Sequence, residues 1–243
     1  MIWQWKKEMI YFMENAVEES KYYALLANRL RPYIKKTDSC CDVGCGLGQL
    51  SLELSPHVKK ISSWDINPDA LESLRKNRDR QGIQNIYIKQ TDAFEEEGEI
   101  FDVMIFSMFG QEEDIIKIAS GQCKRLVLVI QRLNDRHQFS LTREKKWPRM
   151  HEGLYQRLLE REIPFESQDF TLSFDQPFKN LEEAVCFFRL YGRTDRIEQI
   201  DQDFALTRVI KQNNELYPYL LPNSRHLRLI AIESCYMEKL LEY

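Results

Sequence analysis

The run Asp42-Val43-Gly44-Cys45-Gly46-Leu47-Gly48 constrains this chain more than any other stretch of it. Three glycines alternate with other residues directly after an apolar run, Ser39 to Val43, and a helix-like stretch, Gln49 to Leu54, follows. Glycine lacks a Cβ, so it can take φ > 0 and let main-chain N–H groups lie close against a nucleotide-bearing ligand. The spacing is G-x-G-x-G, and Gln49 stands where the dinucleotide fingerprint wants its third glycine, which weakens a nicotinamide reading.

The rest of the chain supplies the elements such a loop needs around it. Residues 8–30 read as one amphipathic helix, with Met9, Phe12, Met13, Ala16, Val17, Tyr23 and Ala27 on a single face and Pro32 just beyond its end. Val58 to Asp65 reads as the second strand. Asn67-Pro68 opens a helix that Gly82 closes. Ile86 to Lys89, Phe101 to Phe106 and Leu126 to Ile130 read as three further strands, with helices over Gln111 to Ala119 and from about Trp147 to Glu162. This alternation implies right-handed crossovers and a parallel sheet. The pattern then changes. Gln168 to Phe174 alternates like a half-exposed strand, Asn180 caps a helix running to Tyr191, a charged helical stretch follows, and Leu227 to Glu233 forms a last strand. With no internal repeat and no linker-like stretch, one domain is expected: an N-terminal helical arm (1–37), an α/β core (38–178 and 224–243) and an inserted helical cap (179–223).

Composition narrows the classes of function. With 43% hydrophobic and 30% charged residues the chain reads as a soluble globule, and a net charge of −4 speaks against a dedicated nucleic-acid binder. No apolar run approaches the ~20 residues of a membrane span, and the first residues hold no apolar core of a signal peptide. The six cysteines form no C-x-x-C pair and no cluster with histidine at zinc spacing. A reduced, cytoplasmic protein without a structural metal is expected.

Beyond the glycine loop, Asp65 falls at the end of the second strand, where a carboxylate can accept hydrogen bonds from both ribose hydroxyls. Asp92, in Thr91-Asp92-Ala93-Phe94 after the third strand, can accept from an exocyclic adenine amine. The fourth strand ends in Ser107-Met108-Phe109-Gly110. Asp42, Asp65, Asp92 and Ser107 thus share the carboxyl edge of the sheet, where open parallel sheets bind their ligands.

In these residues the chain resembles the class I S-adenosylmethionine-dependent methyltransferases, over Asp42–Gly48, Trp64–Pro68, Thr91–Phe94 and Asp102–Gly110. The resemblance implies a Rossmann-like sheet of seven strands, mostly parallel with an antiparallel last strand, and S-adenosylmethionine as cofactor. It implies that Gly44, Cys45, Gly46 and Gly48 lie against the cofactor, that Asp42 helps hold its amino group and that Asp65 holds the ribose. Ile66 would pack on the adenine, with Asp92 and Ala93 at its edge and Ser107 at the end of the fourth strand. Methyltransferases of this class that act on base or glutamine amides carry an Asn/Asp-Pro-Pro-aromatic run after that strand. This chain has Ser107-Met108-Phe109-Gly110 there, which disfavours such substrates.

Methyl transfer from a sulfonium asks mainly for alignment and exclusion of water, so catalytic residues leave little sequence trace. His137 is the candidate base, since a neutral imidazole can deprotonate a nucleophile. The segment from Arg132 to Arg149 holds Arg132, Arg136, Arg143, Lys145, Lys146 and Arg149 against Asp135 and Glu144, a cationic rim suited to a carboxylate or phosphate. The expected activity is methyl transfer to N, O or S of a small, anionic molecule. Two alternatives stay open: a non-catalytic cofactor-binding subunit and a nicotinamide-dependent oxidoreductase.

Overall fold

The structure, a computed structural model, describes residues 5–133, 139, 153–192 and 196–241. The elements in chain order are α1 (Lys7–Ser20), α2 (Tyr22–Leu30), β1 (Ser39–Val43), α3 (Gln49–Leu54), β2 (Lys60–Asp65), α4 (Pro68–Arg80), β3 (Ile86–Gln90), β4 (Phe101–Ser107), α5 (Glu112–Gln122) and β5 (Cys123–Arg132). They continue with α6 (Gly153–Glu160), β6 (Glu166–Ser173), β7 (Gln176–Phe178), α7 (Leu181–Tyr191), α8 (Gln202–Leu206), β8 (Ile210–Lys211), β9 (Tyr219–Leu221), β10 (Ser224–Glu233) and α9 (Met237–Leu241).

Seven strands form one sheet in the order β3-β2-β1-β4-β5-β10-β6, the Rossmann-like α/β arrangement expected. The pairs among β3, β2, β1, β4 and β5 are parallel, and only β10 runs against its neighbours, wedged antiparallel between β5 and β6. Strand order reverses at β1, which leads out to β2 and β3 on one side and borders β4 on the other. That switch point opens the crevice a ligand can enter. β1 is buried on both faces: Cys40 packs with Leu50, Leu54 and Leu71 on one side, Cys41 and Val43 with Ile115 and Ala119 on the other. This explains why β1 shows no alternation of buried and exposed positions, with Cys40, Cys41, Asp42 and Val43 all buried. Helices α2, α3 and α4 cover the first face, α5, α6 and α9 the second.

Two parts of the chain depart from expectation. The single N-terminal helix is two, broken at Lys21, which takes φ 51°. Phe12 of α1 packs edge-on against Phe178 and Phe187, centroids 6.1 and 5.3 Å away, whereas Tyr22, Leu26 and Leu30 of α2 enter the core under the sheet. One straight helix cannot serve both destinations. Ser20 eases the break by donating to Ala16 O at 2.6 Å and accepting from Tyr22 N–H. The region between β6 and β10 is also not purely helical: β7, β9 and β8 form a small antiparallel sheet beside α7 and α8. Tyr11 of α1 donates to Glu183 of α7 at 2.8 Å, so the first helix belongs with this cap.

Candidate functional site

Every piece of the site hangs on the carboxyl ends of β1 to β5. Gly44, Gly46 and Gly48 have φ of 68°, 54° and 67°, the left-handed region glycine enters without strain. These turns fold the loop back onto the sheet: Cys45 N–H donates to Trp64 O at 2.8 Å and Gly48 N–H to Cys45 O at 2.9 Å. A methyl group on Gly44 would sit 2.1 Å from Cδ2 of Phe109, and one on Gly46 would sit 3.4 Å from Cζ2 of Trp5. Two aromatic rings, one from the end of β4 and one from the arm, therefore border the loop where its backbone is bare.

Asp65, the last residue of β2, ties the loop to the sheet. Its Oδ2 accepts from Gly46 N–H at 2.8 Å and its Oδ1 from Asn67 N–H at 2.8 Å. A carboxylate has about four acceptor positions, so both oxygens keep capacity for a further donor. Ile66 beside it is 42% exposed and Phe94 after β3 is 44% exposed, an unusual pairing of open apolar surface with an acid at a strand end. Asp92 Oδ1 accepts from Phe94 N–H at 3.0 Å and shapes that turn, with Ala93 buried beneath it. Ser107 closes β4 one residue past Phe106, which pairs with Val43, so it stands level with the start of the glycine loop.

Asp42 is almost fully buried, at 1% exposed. Its Oδ2 accepts from the Ser51 hydroxyl at 2.6 Å, and Ser51 accepts from Ser63 at 2.8 Å. Burial pushes its carboxyl up to about 6; the Ser51 hydrogen bond opposes this and the nearby Asp65 charge adds to it. The folded protein then holds the Asp42 proton more tightly than the unfolded chain does. Its contribution to stability is present below the ordinary value of 3.8 and is lost as pH rises through about 6. Asp42→Asn is expected to flatten the stability profile between about pH 4 and pH 7 and to raise the unfolding free energy at neutral pH by about 2 kcal/mol. Urea titrations of wild type and variant at both ends of that window check it, since only their difference isolates Asp42 from other carboxylates such as Asp102, held down to about 2 by hydrogen bonds from Ser39 and by Lys124 despite partial burial.

Of the expected site residues, the structure gathers Asp42, Gly44, Cys45, Gly46, Gly48, Asp65, Ile66, Asp92, Ala93 and Ser107 along one sheet edge. His137 and the basic residues Arg136, Arg143, Lys145, Lys146 and Arg149 lie outside the described residues. Arg132 is described, and it brings in a residue the sequence does not flag. Leu227 pairs with Arg132, and Leu133 N–H donates to His226 O at 2.8 Å, so the antiparallel return of β10 delivers Arg225 to the same edge. No sequence pattern announces that meeting, because it depends on register across the sheet.

A cleft of about 720 Å³ opens between the start of α1 and helices α7 and α8, lined among others by Lys6, Glu182, Arg189 and Asp201. It begins one residue from Trp5, the ring that covers Gly46. No described helix is long and apolar enough to cross a membrane.

The site fits an adenosyl ligand: a glycine loop without side chains at three positions, a carboxylate with spare acceptor positions and exposed apolar side chains beside it. Comparison with known proteins agrees. Residues 34–175 match a family model described as "Methyltransferase domain". A protein of Methanothermobacter thermautotrophicus named as a probable cobalt-precorrin-6B C(15)-methyltransferase (decarboxylating) is 31% identical over 93 residues, 37% of this chain and 48% of that protein. Ribosomal protein L11 methyltransferase of Thermotoga neapolitana is 25% identical over 122 residues, 48% of this chain and 44% of that protein. The chain thus spans less than half the length of these curated relatives. Among solved structures, magnesium protoporphyrin IX methyltransferase from Synechocystis with bound SAH superposes with a TM-score of 0.52 at 13% identity, over 95% of this chain and 89% of that one.

Proposed function

The chain belongs to the class I S-adenosylmethionine-dependent methyltransferases, and from that premise we propose that it transfers a methyl group to an N, O or S atom of a small, anionic molecule. The observation that carries the cofactor half of this reading is the clasp between Gly46 N–H and Asp65 Oδ2. It fixes the glycine loop against the end of β2 and sets beside it a carboxylate that keeps acceptor capacity for a ribose. In this reading Asp65 accepts from the ribose hydroxyls, Ile66 and Phe94 flank the adenine, and Asp92 and Ala93 border its edge. The glycine loop and Ser107 face the methionine part.

S-Adenosylmethionine, when bound, supplies an electrophilic methyl on a sulfonium. What the chain supplies is alignment and dryness. Asp42 has Oδ2 committed to Ser51, and no described residue donates to Oδ1, which leaves that oxygen to the cofactor's ammonium. Such an ion pair favours the charged carboxylate, so cofactor binding and loss of the Asp42 proton reinforce one another. Trp5 and Phe109 border the loop and restrict water there. The arm, the core and the cap (179–223) would enclose the acceptor between them, with His137 the candidate base.

The anionic acceptor is supported by the arginines at the end of β5 and the start of β10, while Ser107-Met108-Phe109-Gly110 in place of an Asn/Asp-Pro-Pro-aromatic run speaks against base and glutamine amides. The test is a calorimetric titration of the purified protein with S-adenosylhomocysteine, followed by transfer of labelled methyl from S-adenosylmethionine to a fractionated metabolite extract. Saturable binding and label in small anionic products are expected. A folded protein that binds neither form of the cofactor would sink the reading. Label found only in RNA or protein would overturn the choice of acceptor.

A further inference from the structure

We infer that Arg132 and Arg225 form the seat for the anionic group of the methyl acceptor, with the rings of Tyr22 and Phe174 holding the Arg225 guanidinium in place. The inference rests on the methyltransferase reading and names the part of the site that would select the substrate.

Two other pieces of the chain meet Arg225. Arg132 ends β5 and Arg225 is the second residue of β10, held in register at the carboxyl edge of the sheet. The Arg225 guanidinium lies 3.7 Å from the ring centroid of Phe174, after β6, and 5.0 Å from that of Tyr22 in α2. Tyr22, Tyr23 and Phe174 form one aromatic cluster, with Tyr22 4.8 Å from Phe174 and 5.0 Å from Tyr23, centroid to centroid.

Elsewhere in the molecule partly buried arginines find acids: Arg125 pairs with Asp38, Arg157 with Glu112 and Arg228 with Asp169. Among the described residues no carboxylate pairs with Arg132 or Arg225. Both Nε atoms are shielded from solvent and have no hydrogen-bond acceptor there. Burial, and after it the charge of Arg225, pulls Arg132 down to about 10. Aromatic faces stabilise a guanidinium by about 0.5–2 kcal/mol and leave its N–H edges unpaired. Two like charges held together without a counter-ion are costly, and an arriving anion removes that cost by accepting from both planar donor sets.

Burial raises the hydroxyl of Tyr23, which packs edge-on against Tyr22 in this cluster, so it is a neutral donor at physiological pH. The arginines and the glycine loop share the carboxyl edge of the sheet, so a small molecule anchored on the pair would extend along that edge toward the cofactor. The partners are arginine side chains rather than backbone, so carboxylate and phosphate share the chemistry.

The experiment titrates the protein, alone and saturated with S-adenosylhomocysteine, with benzoate and with phenyl phosphate, using benzyl alcohol and phenol as uncharged controls. Saturable binding of at least one anion and of neither control is expected, and the two anion arms separate carboxylate from phosphate. Arg132→Gln and Arg225→Lys should each weaken that binding by about 10-fold or more while leaving S-adenosylhomocysteine affinity within a factor of about 3. Arg132→Gln should also keep or raise the melting temperature of the ligand-free protein, because it removes one of two like charges; a merely structural arginine would lower it. No anion binding to wild type in either condition, or binding unchanged in both variants, would overturn the proposal. Failure of S-adenosylhomocysteine to bind would instead count against the methyltransferase reading, and the cofactor-free titration keeps the two failures apart.

Discussion

Asp65→Ala is expected to weaken S-adenosylhomocysteine binding by about 100-fold while leaving a folded protein. Two losses add. A carboxylate placed for the ribose hydroxyls contributes charge-assisted hydrogen bonds of about 1.5–3 kcal/mol each, and about 1.4 kcal/mol is a factor of 10 in affinity. The same carboxylate also holds the glycine loop through Gly46 N–H at 2.8 Å and starts α4 through Asn67 N–H at 2.8 Å. Without it, the loop must be ordered at the expense of binding. Asp65→Asn sharpens the test. Both backbone groups are donors, so the site needs two acceptors, and an amide offers one oxygen and one NH2. Either flip sets the NH2 against an N–H, and the asparagine variant should bind nearly as poorly as the alanine one. Calorimetry on both variants, with circular dichroism as the check on folding, decides it. Unchanged affinity in folded Asp65→Ala would reduce this residue to the turn before α4. Stability should fall less than affinity, by about 1–2 kcal/mol, because Asp65 is only half-buried and water can replace it at the two N–H groups.

How far the sequence could be read depended on whether local signals and tertiary demands coincided. They coincide at β1 to β5. There β4 and the middle of β5 are apolar because both sheet faces are covered, and the connections carry their own punctuation: the glycines before α3 and Asn67-Pro68 before α4, with Asn67 accepting from Ala70 N–H at 2.9 Å. They diverge at Lys21, where neither glycine nor proline marks a break and the apolar period runs on unbroken. The break exists because Phe12 is wanted in the cap and Tyr22 under the sheet, a requirement no local window contains. The strands β7, β8 and β9 are three, two and three residues long, too short to establish a period, and β7 includes Pro177. At the site, Asp42 and Asp65 are legible as acids at strand ends. That Asp42 is buried on Ser51 and Ser63 is not, since those serines come from α3 and β2 and look like ordinary polar positions. Arg225 was hidden for another reason: its neighbour Arg132 is brought beside it only by the antiparallel return of β10.

Gly46 and Gly48 both take left-handed φ, 54° and 67°, yet they should fail in different ways when replaced. A Cβ on Gly48 would lie 2.3 Å from Cδ1 and 2.5 Å from Cδ2 of Leu74, a fully buried residue of α4. Leu74 cannot yield without disturbing the packing between α3, α4 and the sheet. Gly48→Ala therefore combines a left-handed backbone penalty of about 1–2 kcal/mol with an overpacking cost of about 1–3 kcal/mol, and should destabilise the protein by about 2–5 kcal/mol. For a domain of this size that is a large share of the total. At Gly46 the added methyl would meet only Trp5, at an ordinary contact distance of 3.4 Å, so Gly46→Ala should cost little beyond the backbone penalty. Its effect should fall instead on S-adenosylhomocysteine, because the methyl would occupy the face of the loop that the ligand approaches. Urea denaturation and calorimetric titration of the two variants should thus give opposite rankings: Gly48→Ala worse in stability, Gly46→Ala worse in cofactor affinity per unit of stability lost. Equal losses of stability would mean that α4 yields to Gly48. Unimpaired binding by Gly46→Ala would move the ligand off the loop. The alternation of glycines is then explained by two surfaces rather than one: Gly48 lets two helices close on the sheet, and Gly46 lets a ligand lie on its edge.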